Sequence, residues 1–158
     1  SAGGHLTGTL GILSMQEDFC PELEWSREEV RPDAMILSYP VITSGEFAHR
    51  SSFEMLTGCA EDCEATQRYS LEKYVTDKIP PTFVWHNVDD MYVPMENSLL
   101  LVQQLQKHKV PYEAHFFKSG GHGVSVSTKE VNVDNKHGAH WMKLATEWLA
   151  DTLGWDDF

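Results

Sequence analysis

Ser1, Asp90 and His122 have the residue types, in the order, that a nucleophilic hydrolytic centre requires. A serine hydroxyl is a weak nucleophile at neutral pH. It needs a base within hydrogen-bond reach, and the base needs a carboxylate that fixes its tautomer and stabilises the imidazolium. Ser1-Ala2-Gly3-Gly4-His5-Leu6 reads as the second half of a nucleophile elbow, the strand-turn-helix corner G-x-S-x-G. Ala2 and Gly3 are small enough for the sharp turn, and the Ala2 N–H is the expected oxyanion-hole donor. Asp90 opens an Asp-x-x-Val-Pro frame ending at Pro94, and His122 sits in the Gly-Gly-His-Gly frame of Gly120–Gly123.

Other chemistry-bearing residues compete with these three. Asp89 rivals Asp90 for the acid role; the frame favours Asp90 and leaves Asp89 as a turn residue. His5 and His86 are expected to pack or hydrogen-bond structurally, with a substrate-side role for either as the alternative. Cys59-x-x-x-Cys63 with His137-x-x-His140 raises zinc, but these spacings match no standard structural site, so no metal is expected. Phe47, Phe53 and Met55 read as the core of a lid, with an acyl- or sugar-pocket role as the alternative. Trp141 and Trp148 read as core.

The elements that must position the chemistry alternate between helix and strand. Residues 1–15 read as a helix carrying Leu6, Leu10, Leu13 and Met15, with Gly3, Gly4, Gly8 and Gly11 allowing close packing on a sheet. Glycine at that density costs helix stability, so packing is its reason. Residues 16–32 are acidic and loop-like, broken by Pro21 and Pro32, with a short helix near Ser26–Val30. Ala34–Tyr39 is an apolar run with the look of a buried parallel strand.

Residues 43–78 lack a clean period and read as short helices of a cap or lid, stopped by Pro80-Pro81. Thr82–His86 is a second buried strand. Glu96–His108 places Leu99, Leu100, Val102 and Leu105 at helical spacing, and Tyr112–Phe117 alternates as a strand nearer an edge. His140–Leu153 gathers Trp141, Leu144, Ala145, Trp148 and Leu149 on one face, and Gly154 ends it. The pattern is that of an α/β fold. Asp90 and His122 each follow a strand, at the edge where open α/β sheets bind ligands.

Composition narrows the function. The 158 residues are about one domain, and 12 basic against 24 acidic side chains give a formal net charge of −12. Such a surface repels nucleic acid and anionic membrane, whereas a neutral ester or sugar derivative meets no such penalty. No stretch approaches the ~20 apolar residues of a membrane span. Three cysteines make no disulfide framework and fit a reducing compartment, so a cytoplasmic location is expected. Cys59 and Cys63 are close enough in sequence to pair only with local strain, and Cys20 is left over.

Four stretches together resemble the α/β-hydrolase esterases: Ser1–Leu6, Pro80–His86, Asp89–Ser98 and Phe116–Gly123. Within that family the resemblance is to the acetyl esterases, acetylxylan esterase-like proteins and feruloyl/acetyl esterases, and it covers essentially the whole chain. It implies an eight-stranded hydrolase sheet of which this chain supplies the last three strands, starting at the elbow. The family's His-Gly-Gly-type oxyanion loop has no counterpart here. The resemblance implies a serine hydrolase for short acyl esters or acetylated sugars, needing no cofactor. A prolyl-oligopeptidase-like peptidase or lipase on the same scaffold, or a binding module without activity, remains the alternative.

Overall fold

The computed structural model describes residues 1–19 and 24–154. Cys20 and Pro21 lie outside the described residues. The helices are α1 (Ala2–Ile12), α2 (Arg27–Val30), α3 (Arg50–Thr57), α4 (Glu64–Gln67), α5 (Glu96–Lys107) and α6 (His140–Leu153), and the strands are β1 (Met35–Ser38), β2 (Thr82–Asn87) and β3 (Tyr112–Phe117). The strands form one parallel sheet in the order β1-β2-β3. Ile36 stands opposite Phe83, and Phe83 opposite Glu113.

All six residues of β2 are buried, as a central strand covered on both faces must be. Its side chains alternate. Val84 joins Ile12, Leu13, Met35, Leu37, Leu101 and Leu105 in the larger core, whereas Phe83 and Trp85 pack with Phe117, Ala145 and Trp148 under α6. Pro81 and Pro111 donate no main-chain hydrogen bond, but their carbonyls accept from Met35 and Thr82 at 2.9 and 3.0 Å. The prolines thus begin the ladder without breaking it.

The glycine reading of α1 as packing on the sheet holds for Gly4 and Gly11, against Pro40 and Met35; Gly8 closes instead on Leu71, outside the sheet, and Gly3 on nothing. A Cβ on Gly4 would lie 2.7 Å from Pro40 Cβ, and one on Gly8 2.5 Å from Leu71 Cδ1, but one on Gly3 would meet nothing within 4 Å. Gly4, Gly8 and Gly11 recur at i, i+4, i+7 and so share one helix face. Leu6 and Leu10 are on the exposed side. The helix also stops at Ile12, and Leu13–Met15 form one 3-10 turn.

The inward line of α5 differs from the expected one. Asn97, Ser98, Leu101 and Leu105 are fully buried, whereas Leu99, Leu100 and Val102 are only partly so. Two polar residues take the inward turn because they have partners there. Asn97 Oδ1 accepts the N–H groups of Ile42 and Thr43 at 2.9 and 3.1 Å, and its amide donates to Phe47 O. Within segment 43–78, Leu71 and Val75, together with nearby Ile79, belong to the larger core, and Phe53 is buried in a small cluster with Val41 and Val93. Gly154 closes α6 in the left-handed conformation, its N–H returning to Ala150 O. No helix among the described residues is long and apolar enough to cross a membrane.

Candidate active site

All three parallel strands end at one edge of the sheet, and polar side chains gather there. Ser1 lies at the start of α1, beside the segment leaving β1, because its carbonyl accepts the N–H groups of His5 and Val41 at 3.0 and 3.2 Å. Ala2 follows as the first helical residue, where no intrahelical carbonyl is available to its N–H.

Asp90 is buried just beyond β2, and its carboxylate is surrounded by donors. Oδ1 accepts the N–H groups of Tyr92 and Val93, each at 2.9 Å. Oδ2 lies 2.6 Å from His122 Nδ1 and 3.2 Å from His86 Nε2. Burial alone would raise the Asp90 carboxyl, but the His122 hydrogen bond and the Val93 and Tyr92 amides outweigh it and hold the group below its ordinary value. A carboxylate only accepts, so Nδ1 of His122 carries the proton and Nε2 is left with a lone pair. That is the tautomer a general base needs.

The loop bearing His122 is tied down from three sides. Asp89 accepts the N–H groups of Gly120 and Gly121 at 2.9 and 2.8 Å, Asn87 donates to Gly121 O at 2.8 Å, and Asn135 donates to Ser119 O at 2.8 Å. Gly121 and Gly123 have φ of +65° and +70°, which glycine adopts without a Cβ penalty. The imidazole stands edge-on to Tyr39, ring centroids 5.1 Å apart, with Tyr92 at 6.0 Å. Tyr39 itself has φ of +37°, rare for a non-glycine residue, and its hydroxyl accepts the Ser125 N–H at 3.1 Å.

His86 has no exposure at all. Nε2 faces two acceptors, Val93 O at 2.9 Å and Asp90 Oδ2, and Nδ1 lies 2.7 Å from Ser98 Oγ. Burial is the largest influence on it and holds its pKa below the ordinary histidine value, against the opposing pull of Val93 O and Asp90.

Asp90 and His122 are thus brought together, while the Ser1 hydroxyl makes no hydrogen bond to His122 among the described residues. Asp89, read from sequence as a turn residue, is a clamp on the histidine loop. Its two donors are consecutive glycine amides, a pattern that binds anions, and Gly120-Gly121 was the signal for it. Asn87, Ser98 and Tyr39 gave no such signal, since each acts across more than ten residues of sequence. His5 packs structurally as expected: its Nε2 donates to Tyr69 O at 2.9 Å and its ring stands against Phe53.

The cysteines and outer histidines do not converge. Cys59 and Cys63 are disulfide-bonded to each other, and His137 packs edge-on against Phe117 with His140 beside it. No cluster of three or more His, Cys, Asp or Glu that would hold a metal occurs among the described residues. A groove of about 440 Å³ begins at Ala2, with His5, Val41, Phe53, Met55 and Tyr69 among its walls.

A parallel sheet with helices on both faces is the arrangement of the α/β-hydrolase fold. The chain belongs to the prolyl oligopeptidase family, which residues 37–154 match. It is similar to the acetyl ester-xyloside bifunctional hydrolase of Caldicellulosiruptor lactoaceticus, at 37% identity and TM-score 0.81 over 99% of this chain and 56% of that one. A carboxylesterase of Lactobacillus plantarum matches at 28% identity and TM-score 0.78, over 100% of this chain and 58% of that one. Among curated proteins, an endo-1,4-beta-xylanase B of Butyrivibrio fibrisolvens is 40% identical over 131 residues, 82% of this chain and 20% of that protein. The chain therefore spans little more than half of these solved relatives and a fifth of the xylanase. It has the fold of the α/β hydrolases.

Proposed function

We propose that this chain carries the catalytic triad of a serine esterase acting on short acyl esters, acetylated sugars or xylo-oligosaccharides among them. The observation that carries the reading is the 2.6 Å bond from His122 Nδ1 to a buried carboxylate, Asp90 Oδ2, which leaves Nε2 as the base. Ser1 Oγ attacks the ester carbonyl carbon and gives its proton to Nε2. The Ala2 N–H donates to the developing oxyanion. Collapse breaks the bond to the alcohol, which leaves with the proton from His122. Water, deprotonated by the same nitrogen, then releases the acid from Ser1.

Asp90 orients the imidazole and stabilises its charged form throughout. The groove beside Ala2 is apolar along Val41 and Phe53 and suits a small acyl group, and an uncharged sugar ester meets no repulsion from a chain of net charge −12. The relatives named as an acetyl ester-xyloside hydrolase and a carboxylesterase support ester over peptide. The family match favours a second reading, a peptidase on the same scaffold.

The test uses a polypeptide extended upstream to the length of the solved relatives. It is expected to hydrolyse p-nitrophenyl acetate and leave peptide p-nitroanilides intact, and an organophosphate should label Ser1. The 158-residue chain alone should turn over far less, since losing one oxyanion donor costs about 10²–10³ in turnover. Preferential cleavage of peptide anilides would overturn the esterase reading. Labelling at a serine other than Ser1 would overturn the triad.

A further inference from the structure

Two buried groups behind Asp90 have no part in the mechanism above. His86 and Ser98 are both fully buried, on adjacent elements β2 and α5, and their side chains form an unbroken line to the carboxylate: Ser98 Oγ, 2.7 Å, His86 Nδ1; His86 Nε2, 3.2 Å, Asp90 Oδ2. The acceptors fix the proton positions. Val93 O and Asp90 Oδ2 can only accept, so His86 Nε2 must donate to both, and Nδ1 then accepts from the Ser98 hydroxyl. The opposite tautomer would aim a lone pair at two oxygens where both side chains are buried.

We propose that His86, its Nε2–H tautomer set by Val93 O and Asp90 Oδ2 and its ring held in orientation through Nδ1 by the Ser98 hydroxyl, is a positioning residue that fixes the Asp90 carboxylate for His122. This rests on the triad reading. With His86 donating, all four hydrogen bonds to Asp90 are set: two amides hold Oδ1, and two imidazoles share Oδ2. The second imidazole stops the carboxylate rotating and takes up part of its charge, which moderates how strongly Asp90 stabilises the His122 imidazolium. The titratable groups facing His86 are Asp90 and His122, and α5 offers only the Ser98 hydroxyl.

The experiment compares Ser98→Ala, His86→Leu and His86→Gln in the extended protein. Gln keeps a donor near the Nε2 position and is expected to rescue most of the loss seen with Leu. Ser98→Ala and His86→Leu should lower kcat about tenfold to a hundredfold with KM nearly unchanged, because misplacement acts on the reacting geometry. The acidic limb of the kcat/KM profile should move to higher pH, since an unshared Asp90 charge favours the imidazolium.

A role confined to packing would lower stability and leave that limb in place, and this outcome would overturn the proposal. Should His86→Leu fail to fold, Ser98→Ala decides by the same criteria. The proton NMR signal of the His122–Asp90 hydrogen bond gives a readout independent of turnover. It should shift in Ser98→Ala even if the triad proves not to be the hydrolytic centre, and an unshifted signal would overturn the inference while leaving the esterase reading intact.

Discussion

Asp89 holds Gly120 by its main-chain N–H, at 2.9 Å from Oδ1 and 3.2 Å from Oδ2, two residues before the imidazole that bonds the neighbouring Asp90. Consecutive carboxylates thus serve one histidine in different ways: Asp89 places its loop and Asp90 orients its ring. Position in the turn after β2 decides which does which. Asp90 is buried and Asp89 is exposed.

Asp89→Asn is therefore expected to cost about tenfold in kcat, the worth of one charge-assisted hydrogen bond. Asp90→Asn should cost about 10⁴, because an amide at that position favours the wrong tautomer. Turnover of p-nitrophenyl acetate by both variants, at matched thermal stability, makes the comparison. A larger loss for Asp89→Asn would move the acid role one residue back.

Ser1→Ala and His122→Ala should each remove most turnover in the extended protein, and the double variant should lose little more. Residues that act as one unit give non-additive losses. Losses that multiply across the double variant would mean that the two side chains act in separate steps.

Gly3 and Gly4 are neighbours in α1 with opposite expected responses. Gly4→Ala drives a Cβ against the rigid Pro40 ring, at 2.7 Å from its Cβ, and should destabilise by about 1–3 kcal/mol. Gly3→Ala meets open space in a helix and should stabilise by about 0.5–1 kcal/mol. Denaturant midpoints of the two variants provide the measurement, and equal destabilisation would contradict the packing of α1 on the end of β1.

Acid should weaken the fold in two stages. Burial depresses the pKa of both His5 and His86, so their contribution is complete above the ordinary histidine value of 6.5 and is lost as pH falls below it. Asp90 is also depressed, by its hydrogen bonds against the pull of burial, so its contribution is complete above the ordinary 3.8 and is lost at still lower pH. Thermal unfolding followed from pH 8 to 3 should show both stages, with the upper one reduced in His5→Gln. A flat profile between pH 7 and 5 would contradict the buried neutral histidines.

The strands and the long helices were legible because their signals are local: a buried apolar run for β2, alternation for β3 at the sheet edge, and glycine at the end of α6. The register of α5 was not, because Asn97 and Ser98 turn inward for partners found only in the folded chain, the Ile42 and Thr43 amides and His86. The same limit applies at the site. The motif frames around Asp90 and His122 pointed to the pair that meets, but the supports lie elsewhere. Asp89, Asn87 and Tyr39 act through contacts with segments some thirty or more residues away. Only Gly120-Gly121 advertised one of them.

Strand β1 has β2 on one side and no strand on the other among the described residues, and Ile36 stands 36% exposed along it. Such a margin offers free amide and carbonyl groups to any extended peptide that approaches. Handled by itself, this polypeptide should be adhesive, self-associating through that rim. The same rim is a template onto which a further strand could add in register, extending the parallel sheet beyond β1.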